Sequence, residues 1–186
     1  MRDISKKKVI VLATHGFEQS ELEVPVHKLA EAGATVHVVS PEAGSIKGWD
    51  KTDWGSPVQV DVLLDDVNPE EYHAIVLPGG QINPDLLRVN DAAIALIRAM
   101  FDQDKVVAAI CHAPWLLIEA GIVDGRDVTS YKSIRTDLIN AGGNWIDAEV
   151  VVDNGVVTSR NPGDLDAFCE KIAEEIQEGK HDRDAA

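Results

Sequence analysis

The stretch Val106-Val107-Ala108-Ala109-Ile110-Cys111-His112-Ala113-Pro114-Trp115-Leu116-Leu117 carries the reading of the fold. Its first five residues are apolar throughout, the signature of a strand buried on both faces in the middle of a parallel sheet. Pro114 suits the first turn of a helix, and Trp115-Leu116-Leu117 resumes with a helical pattern. Cys111 therefore stands at the elbow between strand and helix. Parallel sheets bind ligands at the carboxyl ends of their strands, which puts this thiol on the functional edge. The free N–H groups and positive end of the following helix favour thiolate, so the expected pKa is lowered into the range of about 3.5 to 7.5. The competing reading is a small buried hydrophobe, which is what most unpaired cysteines are.

Working outward, short runs rich in valine and isoleucine alternate with longer amphipathic stretches, the pattern of an α/β domain with a mostly parallel sheet. Strands are expected at 8–14, 35–39, 73–77, 106–110, 128–130, 149–153 and 156–159. Asn154-Gly155 marks a tight hairpin between the last two. Helices are expected at about 20–32, 91–102, 114–120, 134–141 and 164–178, with Gly33, Gly121 and Gly142 placed as C-caps. The segment 44–57, with Trp49 and Trp54, breaks the alternation, and 58–64 reads as a half-exposed strand. Together they suggest a hairpin or long loop on the sheet edge. One domain spans 1–186, ending in a frayed polar tail at about 180–186.

Composition narrows the function. The 186 residues carry 32 acidic and 17 basic side chains, a formal charge of −15, so the average surface repels a nucleic-acid backbone and no nucleic-acid partner is expected. No run approaches the roughly 18 apolar residues of a membrane span. The basic start at 1–8 precedes an apolar stretch too short for a secretion signal, and the expected location is the cytoplasm. Two cysteines with no metal-ligand or C-x-x-C spacing fit reduced thiols in a reducing compartment, without a metal or other cofactor.

Other groups converge on the edge where Cys111 sits. His112 supplies an imidazole, and Glu18 a carboxylate after the first strand. Leu77-Pro78-Gly79-Gly80 closes another apolar strand. Gly79 and Gly80 permit close backbone approach, and with the amide of His112 they are candidates for an oxyanion hole. Glu21, in the first turn of the first helix, is read as a carboxylate placed to suit the helix dipole. Cys169 shares a helical stripe with Leu165, Phe168, Ile172 and Ile176 and is expected to be buried packing.

These residues resemble the ThiJ/PfpI superfamily, a class I glutamine amidotransferase-like group, and within it the PfpI-type branch of intracellular cysteine peptidases and deglycases. The resemblance covers nearly the whole chain. It is carried by Phe17-Glu18 with Glu21-Leu22, Val67-Asn68-Pro69-Glu70-Glu71, Ile75 to Gly80, Ala109 to Pro114, Thr129-Ser130-Tyr131, Ile139 to Gly142 and Trp145 to Asp153. It implies a flavodoxin-like three-layer sandwich with helices on both faces of the sheet. It further implies that Cys111 is the nucleophile, His112 its partner and Glu18 a carboxylate hydrogen-bonded to the thiol. In PfpI-type members a carboxylate from a neighbouring subunit orients the imidazole; Asp85 matches that position loosely, and a homodimer or larger homo-oligomer is implied. Gln81 replaces the family's arginine after Gly-Gly, and Ala113 the usual glycine after Cys-His.

Three kinds of function follow. The first is an enzyme whose thiol attacks an aldehyde or acyl carbon; the substrates implied by the resemblance are methylglyoxal, its adducts on protein (a small aldehyde or a glycated protein), or peptide bonds. Glyoxalase or deglycase chemistry asks only for a thiol and a nearby acid/base, whereas amide cleavage also needs a well-oriented general acid for the amine. The second is a redox-responsive stress protein, the third a holdase-type chaperone.

Overall fold

The computed structural model describes residues 1–179; the tail expected at 180–186 lies outside them. Strand β1 (Lys8–Leu12) leads through helix α1 (Gln19–Glu31) to β2 (Thr35–Ser40), the hairpin β3 (Ser45–Asp50) and β4 (Asp53–Gln59), and the short β5 (Val62–Leu63). Next come β6 (Ala74–Leu77), α2 (Ile82–Leu87), α3 (Asp91–Asp102), β7 (Val106–Ile110) and α4 (Pro114–Glu119). The chain continues with β8 (Asp127–Val128), α5 (Arg135–Asn140), β9 (Asn144–Trp145), β10 (Val150–Asp153), β11 (Val156–Ser159) and α6 (Leu165–Glu178).

The main sheet has the order β10-β11-β7-β6-β1-β2-β5. Every neighbouring pair is parallel except β10 with β11, which Asn154 and Gly155 join in a two-residue turn, both at positive φ as the Asn-Gly signal requires. Side-chain alternation divides the core in two. Ile10, Leu12, Ile75, Leu77, Val107 and Ala109 face Ile97, Met100, Leu116 and Leu117 of α3 and α4. Val9, Val11, Val76, Ala108 and Ile110 face Leu22, Leu29, Phe168, Ile172 and Ile176 of α1 and α6. With both faces covered, β7 has no polar side, which explains its uninterrupted apolar run. Each fully buried Leu, Ile or Phe contributes on the order of 1.5 to 3 kcal/mol, so these two layers dominate the stability of the domain. The result is the flavodoxin-like sandwich expected.

Connections from the sheet centre run one way from β1 to β2 and the other way from β6 to β7, so the order reverses between β1 and β6. The loops leaving β1, β6 and β7 meet at this switch point. Three expectations need correction. The hairpin is not an edge of the main sheet but a separate pair, β3 with β4, anchored on the β1–α1 loop by Gly16 N–H to Lys47 O at 2.8 Å and Trp49 N–H to Phe17 O at 2.7 Å. Residues expected as a main-sheet strand at 128–130 instead give β8, paired only with β9. Helix α2 was not foreseen, because it is only six residues long and holds Pro84.

Candidate active site

The elbow at Cys111 is built by its backbone. The chain leaves β7 and turns at Cys111, whose φ of 63° is uncommon for a non-glycine residue and is over-determined by its neighbours. Its N–H donates to Ser159 O at 3.1 Å, and its carbonyl accepts from Tyr131 N–H at 2.8 Å. Helix α4 starts three residues later with Pro114. The side chain points into a cavity of about 570 Å³ that also meets Glu18, Glu21, Trp49, Lys51, Gly80, His112 and Tyr131.

Two glycines make the approach possible. A Cβ on Gly79 would lie 2.5 Å from Glu21 Oε2 and 2.7 Å from Cys111 Cβ, and one on Gly80 would lie 2.6 Å from Gly16 O. Gly80 also holds a φ of 76°. The Gly-Gly loop is tied to the segment leaving β1 through Asn83, which is fully buried on α2. Its Nδ2 donates to Pro78 O at 2.8 Å, and its Oδ1 accepts from Thr14 N–H at 2.8 Å. Asn83 and α2 thus position the site, a role their sequence did not reveal.

The carboxyl group against the thiol is that of Glu21, not Glu18. Helix α1 begins at Gln19, so Glu18 is the extended N-cap residue outside it, while Glu21 shares the inward stripe with Pro25 and Leu29 at four-residue spacing. Glu21 is fully buried; its Oε2 accepts from Gly79 N–H at 2.9 Å. Its Oε1 is buried without a hydrogen-bond partner, and the carboxyl group lies against the Cys111 thiol. Burial pushes the Glu21 carboxyl up to about 8, so it carries its proton at neutral pH. Glu18 also lines the cavity, half-buried, with its carboxylate 3.4 Å from Ser20 Oγ and raised above the usual range mainly by burial.

Gly79 also leaves the expected oxyanion hole, since its N–H is committed to Glu21. The N–H groups of Gly80 and His112 remain, both interacting with the Cys111 sulfur. The thiol itself reverses expectation. Burial and the neighbouring Glu21 push it above the ordinary cysteine range, and the two amides only partly counter this. The reason is local: the thiol is buried and has the Glu21 carboxyl beside it.

His112 completes the group. Its Nδ1 lies 3.1 Å from Cys111 Sγ and its Nε2 2.9 Å from Ser133 Oγ. The ring stacks on Tyr131 at 4.9 Å and meets Trp115 edge-on at 5.4 Å. Burial holds its pKa below the usual histidine value, so it is neutral at pH 7. Asp85, on α2, lines an adjoining cavity of about 490 Å³ together with His112, Trp115 and Ser133. Among the described residues Asp85 makes no hydrogen bond with His112. Cys169 is buried on the inward face of α6, as expected. Among the described residues no group of His, Cys, Asp and Glu could hold a metal ion, and no helix is long and apolar enough to cross a membrane.

Thiol, imidazole and protonated carboxyl around one cavity can perform nucleophilic attack on a carbonyl carbon with proton transfer in both directions. Comparison with known proteins agrees with this architecture. Residues 7–175 match the DJ-1/PfpI family. Deglycase PfpI of Pyrococcus furiosus is 47% identical over 165 residues, covering 89% of this chain and 96% of that protein. General stress protein 18 of Bacillus subtilis is 43% identical over 164 residues, covering 87% of this chain and 93% of that protein. Among solved structures, a two-domain protein of Anabaena variabilis with DJ-1/ThiJ/PfpI-like and ferritin-like domains superposes with a TM-score of 0.87 at 34% identity; the match covers 92% of this chain and 48% of that one. Sheet order, elbow cysteine and sequence likeness along most of its length together establish that this chain belongs to the DJ-1/PfpI family.

Proposed function

We propose that this chain is a cysteine-dependent deglycase with glyoxalase-type chemistry, acting on methylglyoxal or on its adducts with amino groups. The observation that carries the reading is one cavity in which Cys111 Sγ, His112 Nδ1 at 3.1 Å and the buried carboxyl of Glu21 meet. Deglycase PfpI, alike along almost its whole length, supports it.

In this mechanism the thiol gives its proton to neutral His112 as sulfur bonds to the aldehyde carbon of methylglyoxal. With an adduct, sulfur displaces the amine at the carbinol carbon, and the amine leaves with a proton. Both routes give the same hemithioacetal, whose oxygen lies toward the N–H groups of Gly80 and His112. A proton then moves from the former aldehyde carbon to the adjacent carbonyl carbon, giving a lactoyl thioester. Glu21 relays it, since a group with a pKa of about 8 both gives and takes protons near neutrality. Water cleaves the thioester to lactate and restores the thiol. The sum is methylglyoxal plus water to lactate, or adduct plus water to amine and lactate, with no external oxidant or reductant.

Exposed Ile82, Leu86 and Val89, along α2 and its exit, support assembly with a second copy of the chain. The test of the function is lactate release from methylglyoxal-treated N-acetylarginine and from free methylglyoxal. Wild type should produce lactate and Cys111→Ala should fall to background; equal rates for the two proteins would defeat the proposal.

A further inference from the structure

We propose that Ser133 is a positioning residue of His112, so that a neutral hydroxyl of the same chain orients the imidazole. The inference rests on the reading of Cys111 and His112 as the reacting pair. Each imidazole nitrogen serves one hydrogen bond in the ring plane, and both are occupied: Nδ1 by Cys111 Sγ at 3.1 Å, Nε2 by Ser133 Oγ at 2.9 Å.

The serine is held by the same backbone that holds the thiol. It sits in the helical turn Lys132–Ile134, directly after Tyr131, whose N–H donates to the Cys111 carbonyl and whose ring stacks on His112. With Trp115 packed edge-on, the ring is gripped from three sides. When the thiol donates to Nδ1, the Nε2–H donates to Ser133 Oγ; once the proton has moved to the imidazole, the same bond persists. Ser133 therefore fixes the reactive tautomer through the proton transfer.

A hydroxyl and a carboxylate differ in charge. A carboxylate on Nε2 would stabilise imidazolium and raise the pKa, whereas a hydroxyl leaves the effect of burial unopposed. The other titratable or charged groups around the ring are Cys111 on its own segment, Tyr131 stacked on it, Glu18, Glu21 and Lys51 across the larger cavity, and Asp85 across the smaller one. Behind Trp115 lie Arg88, over its ring, and Asp137, bonded to its indole N–H. Of these only Cys111 bonds an imidazole nitrogen.

Two readouts that need no substrate test the idea: the pH dependence of Cys111 alkylation by iodoacetamide, and the NMR titration of His112, both in the intact protein. Ser133→Ala should slow alkylation at pH 7 by about five- to tenfold, the worth of one neutral hydrogen bond. Ser133→Thr should restore the rate. Ser133→Asp should raise the His112 titration midpoint by at least about one unit, as an adjacent anion does. In turnover, Ser133→Ala should lower kcat and leave KM nearly unchanged. If Ser133→Ala leaves both the alkylation profile and the His112 titration unaltered, or if Asp85→Asn shifts them while Ser133→Ala does not, the proposal falls. If wild type releases no lactate, the functional reading falls, and the alkylation and NMR results still decide the role of Ser133.

Discussion

Replacing Glu21 by glutamine should stabilise the protein while removing most of its activity, and the stabilisation should depend on pH in a way set by one group. In the folded chain the carboxyl keeps its proton up to about pH 8, while unfolding releases it to an ordinary value of 4.5. A raised carboxylate pKa means that the folded state binds more protons than the unfolded one between pH 4.5 and 8, so stability falls as pH rises through that window and levels off above it. At about 1.4 kcal/mol per pH unit, and allowing for partial titration near pH 5, wild type should lose roughly 2 to 3 kcal/mol between pH 5 and pH 7 on this account alone. Glutamine is neutral throughout, can accept the Gly79 N–H through its amide oxygen, and lacks the loss. Cys111, pushed above its ordinary range, keeps its proton across the window and adds nothing. Urea denaturation of both proteins at pH 5, 6, 7 and 8 isolates the effect, since all other titrating groups cancel in the difference. Glu21→Gln should gain over wild type with rising pH, whereas Glu18→Gln should show a much smaller change, its carboxyl being only half-buried. Turnover by Glu21→Gln should fall by about two to four orders of magnitude, the usual scale of general acid/base catalysis. A stability difference that is constant with pH, or that favours wild type at pH 7, would show that Glu21 is held as an anion and refute the reasoning.

Three further outcomes are expected. Iodoacetamide at neutral pH should label Cys111, which opens on the cavity, and spare Cys169, which is fully buried with its thiol pushed up to about 12; peptide mapping that finds Cys169 labelled first would contradict this. Gly80→Ala should cost about 2 kcal/mol or more, because φ is 76° and the added methyl would meet backbone on the opposite loop; an unchanged denaturation midpoint would mean that the loop relaxes freely. Light scattering should find at least a dimer at micromolar concentration, with Leu86→Glu shifting it toward monomer, and a concentration-independent monomer in wild type would leave the apolar residues of α2 unexplained.

The strands and long helices were legible because their patterns are long and their signals independent: β7 as an all-apolar run, Asn154-Gly155 as a turn, and the Leu165 to Ile176 stripe of α6. The thiol at the elbow was legible for the same reason. What failed lay at the ends of elements. Whether Glu18 or Glu21 faces the thiol turns on a single residue of helix start, and a cap position swings its side chain away from the stripe that the helix buries. The raised pKa of Cys111 could not be inferred from the elbow, because it depends on how deeply the thiol is buried and on which carboxyl group lies against it. Ser133 and Asn83 gave no signal at all. Each is a common polar residue whose partner lies distant in sequence or is a backbone group.

The two backbone bonds at Cys111 also govern when the chain becomes reactive. Its N–H needs Ser159 and its carbonyl needs Tyr131, so the elbow is held only after segments 20 and 48 residues downstream have reached their places. Contacts of such separation close late, after local helices and turns, because the loop entropy must be overcome first. A chain emerging during synthesis therefore carries Cys111 as an ordinary thiol. The elbow needs both β11 and the segment at Tyr131 in place, and a chain lacking either presents no prepared centre.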